Sequence, residues 1–282
     1  MATFFGEVVA PPSRAGLDDE EEPSEEREEA QEDREIRLAL EKKRDVCITW
    51  NTSNISAEEK FPCSKFILGV GGNAVAFLSS FILNSGSWEL VGSAQLWNEW
   101  CRTSKVTNLL PKDSYCCFYR SVSDPTILLC QCNCYVAEDQ QFQWLEKVFG
   151  CLQQIDLQVL VLSACPVTDY KTTESTLTLP SPFLKALKTR EFKDKVYCSL
   201  LEQPNIIRDL PAAVLSYCQV WQIPAIFYLC YTDILQLDLV TIETFKPVLS
   251  SKILKSLVED ISRSTEILTK LVTPNDIHNI YT

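Results

Sequence analysis

The sequence is short of the residues from which many active sites are assembled. Among its 282 residues there is one histidine, one methionine and only eight glycines. A Ser-His-Asp or Cys-His pair needs its base held rigidly within hydrogen-bond reach of the nucleophile. The single histidine, His278, sits on a polar, turn-prone stretch close to the end of the chain and cannot be held that way. Histidine-dependent nucleophilic catalysis is strongly disfavoured on this ground. Basic charge is lacking as well: 26 Lys and Arg stand against 38 Asp and Glu, for a net charge of −12. Without a basic footprint, binding to a phosphate backbone is disfavoured. Long apolar runs are missing too. Stretches such as Ala225–Tyr231 fall far short of the roughly 20 residues that a membrane-spanning helix needs. The opening residues Met1–Glu7 lack a basic segment and an apolar core, so no signal peptide is expected.

What is present suffices for a sizeable core. The apolar share is 46%, with six tryptophans, and the length allows one large domain or two small ones. The charge is unevenly placed. Asp18–Glu35 holds twelve acidic residues and two arginines, so −10 of the total −12 lies in one run. Like charges repel, and residues 1–44 are therefore expected to form a solvated, largely disordered acidic arm with a short charged helix over Glu35–Arg44. The arm reads either as a solubilising tail or as a docking arm for a basic surface. Thirteen cysteines, an odd number, point to free thiols in a reducing compartment rather than a disulfide framework. The expected setting is cytoplasmic, with association with the endoplasmic reticulum as the alternative. The two glycosylation patterns at Asn51 and Asn54 would be inert there.

The body of the chain alternates strand and helix signals. Val46–Trp50 and Phe66–Val70 read as strands, and Gly71-Gly72-Asn73 turns into an apolar helix over Ala74–Leu83. Leu96, Trp97 and Trp100 suggest a second helical piece, with Glu89 in a turn before it. Tyr115–Tyr119 and Thr126–Val136 form a strand pair around Asp124-Pro125. Ala137–Phe149 reads as an amphipathic helix with Phe142, Leu145, Val148 and Phe149 inward, and Leu157–Leu162 as a buried strand. A long polar loop, Thr168–Ser181, follows. Asp209 is the expected N-cap of a helix facing inward through Val214, Leu215, Cys218 and Trp221. Pro224 ends it, and the run from Ala225 returns as a core strand. Helical pieces near Ile242–Ser250 and Ser264–Val272 complete a single α/β domain over residues 45–272.

Three stretches invite a chemical reading. Asp169, Lys171 and Glu174 lie on the polar loop after a buried strand, where sites in α/β sheets form, and they would carry an enzyme built from carboxylates and lysine. Cys130, Cys132 and Cys134 make a Cys-x-Cys-x-Cys run. On a strand these thiols would stand in a row about 7 Å apart, a poor zinc site, so the expectation is small core residues and no metal. Gly69-Val70-Gly71-Gly72 has the context of a dinucleotide loop but Ala74 in place of the third glycine, and no acidic partner at a strand end. A tight strand-to-helix turn explains it without a cofactor.

The last three residues, Ile280-Tyr281-Thr282, combine an apolar side chain, a phenol and a terminal carboxylate, the parts of a three-point plug. Thr273–Asn279 before them is polar and reads as a tether, so 273–282 is expected to be a flexible tail.

Longer blocks then carry a resemblance. Pro62–Phe66 through Asn84–Gly86, Leu96–Cys101, Cys134–Gln141, Val167–Lys171 and Glu202–Cys230 closely resemble the proteasome assembly chaperone 1 family. The resemblance implies a three-layer α/β/α sandwich without catalytic activity, cofactor or metal. It implies a heterodimer with proteasome assembly chaperone 2 that sits on the α-subunits of the 20S core particle, promotes α-ring formation and prevents off-pathway pairing of rings. It also places the family's hydrophobic-tyrosine-any ending on Ile280, Tyr281 and Thr282, which would enter a pocket between neighbouring α-subunits. The competing expectation is a small-molecule enzyme similar to nucleoside phosphorylases, built on the loop with Asp169, Lys171 and Glu174. A third, a scaffold at a membrane surface, rests only on Phe4 and Phe5.

Overall fold

The structure is a computed structural model that describes residues 24–51, 60–84, 86–96, 115–172, 179–258 and 261–272. The chain divides into two units, Met1–Lys43 and Arg44–Thr282. The first contains nearly all of helix α1 (Ser24–Arg44), which starts eleven residues before the expected Glu35. The physical reason lies in composition: from Ser24 on, the acidic run is interleaved with Arg, Ala, Gln and Leu, all good helix formers. Eight acidic residues do not prevent a helix when six basic ones fall among them.

The second unit is built on one nine-stranded sheet: β1 (Cys47–Trp50), β2 (Phe61–Val70), β3 (Trp88–Gln95), β4 (Tyr115–Ser121), β5 (Ile127–Cys132), β6 (Leu152–Pro166), β7 (Phe183–Lys188), β8 (Ser199–Leu200) and β9 (Ala225–Thr232). The order across the sheet is β1-β3-β4-β5-β2-β6-β9-β7-β8. The four central strands β5, β2, β6 and β9 are parallel, and antiparallel pairs flank them on both sides. Helices α2 (Gly72–Phe81), α5 (Leu239–Glu243) and α6 (Ile261–Val272) lie on one face; α3 (Glu138–Gly150) and α4 (Asp209–Val220) lie on the other. This is the three-layer α/β/α sandwich.

The period of two along the central strands splits the core into two halves. Val159, Val161, Phe227 and Leu229 face the α3/α4 layer with Phe66, Phe118 and Trp144. Leu160, Leu162, Ile226 and Tyr228 face the α2/α5/α6 layer with Phe77 and Phe245. All eight residues of β9 are buried, because both faces of a parallel strand are covered. The glycines before α2 serve backbone and packing. Gly71 has φ of 86°, a conformation that costs a glycine little, and a Cβ on Gly69 would meet Leu78 Cδ1 at 2.7 Å. Buried Asn73 then ties this turn to the loop before α5, accepting from Asp238 N at 3.0 Å and donating to the Gln236 carbonyl at 3.1 Å.

Several expectations need correction. Trp88–Gln95, including Glu89, is strand β3, not a turn leading to a helix; Leu96 is buried just past its end, while Trp97 and Trp100 lie outside the described residues. The polar loop after β6 gives way to β7, which pairs antiparallel with β9. Arg208, not Asp209, is the N-cap of α4; Asp209 is the first helical residue, with φ of 58° and no capping hydrogen bond from a side chain. The region near Ile242–Ser250 is a short α5 followed by a 3₁₀ turn over Lys246–Ser250. Phe142 and Trp221 point outward, 69% and 64% exposed.

Candidate functional site

Ile280, Tyr281 and Thr282, the polar tether before them and His278 lie outside the described residues, as does Glu174. The domain reaches residue 272 through α6, whose Leu268 is fully buried in the α2/α5/α6 core. Asn84 Nδ2 donates to Ser264 Oγ at 2.7 Å and fixes the first half of this helix to the end of α2. Whatever follows Val272 therefore starts from an anchored element.

Asp169 and Lys171 line a cleft of about 290 Å³ at the carboxyl ends of the central strands, together with Val70, Cys165, Arg208 and Tyr231. The position is the one at which open α/β sheets hold ligands. The segment carrying Asp169 and Lys171 is pinned from its other side. Tyr170 stands in an aromatic trio with Phe183 and Tyr231, ring centroids 4.9–5.2 Å apart. Its hydroxyl donates to Glu202, which also accepts from Lys185 Nζ at 2.8 and 3.0 Å. Asn205 clamps the backbone of Lys171 by accepting from its N–H at 2.7 Å and donating to its carbonyl at 3.0 Å. The one thiol in the cleft is not an activated nucleophile: burial, and then the charge of Asp169, push Cys165 up to about 12.

The Lys185–Glu202 pair gives a pH signature. Lys185, then Tyr170, hold the Glu202 carboxyl below its ordinary value. Burial pulls Lys185 down, but bonds to Glu202 and Tyr170 more than offset it and leave it raised. A depressed carboxyl stabilises the fold above its unfolded pKa and loses that contribution as pH falls through the folded value; the raised amine loses its share only at high pH. Glu202 is half exposed, so the pair contributes no more than about 1 kcal/mol. Urea midpoints should show Glu202→Gln losing that increment at pH 7 and the gap to the parent narrowing as pH falls through the acid range.

The Cys-x-Cys-x-Cys run departs from the expected straight row. Cys130 and Cys132 are on β5, but Cys134 lies past its end, where the chain turns. The β4–β5 register sets Cys116 directly opposite Cys132. Cys116, Cys132 and Cys134 are all buried, with sulfurs 3.2, 3.5 and 4.0 Å apart. S–H donation from Cys116, then from Cys132, draws the Cys134 thiol down, while Cys116 is raised first by its bond to Cys130 and Cys132 by its bonds to Cys116 and Cys134. Cys116 was not singled out in the sequence; only strand register reveals it.

The remaining feature is apolar surface on the α3/α4 layer. Phe142 of α3, Val220 at the end of α4 and Trp221 just beyond it are all well exposed. Ile206 and Leu187 are exposed beside the second helix and border a shallow groove of about 560 Å³ that also involves Leu215 and Val220. The helical spacing misplaced Phe142 by one residue. The buried stripe of α3 is Gln141, Trp144, Leu145, Val148, with Gln140 and Gln141 inside because they bond the carbonyls of Arg44 and Val136 at 2.6 and 3.4 Å.

Comparison with known proteins bears on the family and the fold. A family model labelled PAC1, described as "Proteasome assembly chaperone 4", matches residues 1–282. The chain is 62% identical over 286 residues to proteasome assembly chaperone 1 of Homo sapiens, and 62% identical to that of Bos taurus over the same length. Each alignment covers the whole chain and 99% of the relative. Among solved structures, Pyrococcus furiosus PbaA, an archaeal homolog of proteasome-assembly chaperone, superposes with a TM-score of 0.53 at 9% identity. That superposition covers 80% of this chain and 93% of PbaA, and it shows a shared fold.

Proposed function

Because the chain belongs to the proteasome assembly chaperone 1 family, we propose that it is a non-catalytic chaperone of proteasome assembly. It pairs with proteasome assembly chaperone 2 and binds the α-subunits of the 20S core particle. It promotes formation of the α-ring and prevents off-pathway pairing of rings. The tail ending in Ile280, Tyr281 and Thr282 inserts between neighbouring α-subunits. Its working place on this reading is the cytoplasm, with a fraction at the endoplasmic reticulum.

The observation that carries the reading is bare apolar surface on a domain whose core is already full. Val220 is 76% exposed at the end of a helix whose inner face is completely packed. Trp221 follows it, and tryptophan is the residue type that most often dominates binding energy at protein interfaces. Such side chains gain from a partner and contribute little to their own fold. The cleft with Asp169 and Lys171 does not support the competing phosphorylase-like reading as well, since its cysteine is held protonated and its loop is fixed by structural bonds.

Area and affinity set the division of labour. Ile280 and Tyr281 contribute roughly 1.5–3 kcal/mol each on burial, before the cost of ordering the tether. An isolated tail of this kind binds in about the millimolar to micromolar range, so a broad domain surface, or a second tail on the partner, supplies the rest through effective concentration.

The test is co-expression with proteasome assembly chaperone 2 and copurification, followed by crosslinking on isolated α-rings. Replacing Val220 and Trp221 by aspartate should reduce copurification of the partner or capture on the ring by more than about tenfold, since each buried charge is left unpaired. The melting temperature of the isolated chain should shift by no more than a degree or two, because both side chains face solvent. Unchanged association with both would remove this face from the proposal.

A further inference from the structure

We propose that Cys116, Cys132 and Cys134 form a binding site for a thiophilic d¹⁰ cation, zinc or copper(I), beneath helix α3. Their sulfurs are mutually 3.2, 3.5 and 4.0 Å apart. At a Zn–S distance of about 2.3 Å a tetrahedral site sets its sulfurs about 3.8 Å apart, and all three separations fall within about 0.6 Å of that edge. Close approach of several sulfurs is what a shared metal ion produces.

The triangle has the right size. A circle through the three sulfurs has a radius of about 2.1 Å, and an ion at the usual Zn–S distance of about 2.3 Å would sit about 1 Å out of their plane. Three corners of a tetrahedron place the metal close to that height. Three sulfurs around copper(I) need only a slight widening into a trigonal set. Thiolate donors without imidazole or carboxylate select soft ions over magnesium, calcium or manganese.

The fold presets the ligands. Antiparallel register fixes Cys116 against Cys132, and the turn after β5 brings Cys134 back onto the pair. Gly71 N donates to the Cys132 carbonyl at 2.9 Å, which holds the backbone at the strand end. Cys130, one pleat back on the same face and bonded to Cys116, offers a fourth sulfur. Cys116 and Cys132 are fully buried and Cys134 is 8% exposed, so an ion taken up during folding would exchange slowly. Burial also decides the charge: thiolates packed in an apolar core need a cation, and a divalent ion leaves the smaller net charge.

The experiment uses the full chain, expressed in medium supplemented with zinc or with copper and purified under reducing conditions. Bound metal is counted by elemental analysis, and the metal-free chain is titrated with cadmium while the thiolate-to-metal absorption is followed. The expected result is one equivalent of metal per chain. It should fall at least tenfold in Cys132→Ala and in Cys134→Ala and stay whole in Cys47→Ala, whose thiol is exposed on β1. Whichever of zinc or copper(I) survives a competing chelator is the resident ion. Cys134 lies outside the strands, so its alanine variant keeps the test readable should Cys132→Ala fold poorly. Less than about a tenth of an equivalent in both media, or metal that follows Cys47, overturns the proposal.

Discussion

Removing Ile280, Tyr281 and Thr282 is expected to weaken binding to the α-ring by on the order of 10- to 100-fold and to leave the melting temperature unchanged. The size follows from burial of one aliphatic side chain and one phenol ring, less the entropy of ordering the tether, for a net of about 1.5–3 kcal/mol. Each 1.4 kcal/mol is a factor of about ten in affinity. The indifference of stability follows from the domain: among the described residues the core on that side closes with Leu268, assisted by Val272 at the end of α6. Binding of the chaperone pair to isolated α-rings, measured beside thermal unfolding of the same samples, checks both halves. Equal ring affinity with and without the three residues would sink the idea that the tail engages the ring. A fall in melting temperature would show that the tail packs on its own domain.

Trp144→Ala should have the opposite profile. Trp144 is fully buried on the inner face of α3, its ring centroid 6.5 Å from that of Phe118 in a stacked arrangement. Truncating a buried tryptophan costs about 3–5 kcal/mol through lost transfer energy and the cavity left behind. In a unit of this size that lowers the melting temperature on the order of 10 °C. Among the described residues the indole Nε1 has no hydrogen-bond partner, so Trp144→Phe gives up volume but no bond. It should recover more than half of the loss. Calorimetry of the two variants decides the matter; a Phe variant as damaged as the Ala variant would mean that the N–H is satisfied after all.

The elements that could be read from the sequence are the ones whose own pattern decides their state. β9 and the Val159–Leu162 stretch of β6 are continuous apolar runs buried on both faces, and α2 is an apolar segment opened by glycine. β7 was hidden because its sequence, Phe183–Lys188, carries two lysines; it is a strand through its pairing with β9, which no local pattern records. β3 was hidden by Gly92, where a Cβ would strike the Trp50 ring at 2.5 Å, so alternation is broken by a contact with another strand. Phe142 stays outside the core because two glutamines take buried places by bonding main-chain carbonyls, which periodicity cannot see, and Trp221 because it is the C-cap of α4, past its last turn. The thiol triangle needed the β4–β5 register, a property of two segments together. The tail over 273–282 lies outside the described residues, and its role rests with the deletion experiment.

The outer margins of the sheet bear on how such a protein avoids its own company. One border is β1, four residues long, and the other is β8, two residues long; β7, which β8 covers only in part, carries Lys185 and Lys188. A border this short and charged offers almost no free main-chain template to a second copy. A molecule that must wait with uncovered tryptophan and phenylalanine on its helical side is thereby denied the commonest route to polymerisation, strand added to strand. Encounters between copies are left to side-chain contact alone, which a true partner can outcompete.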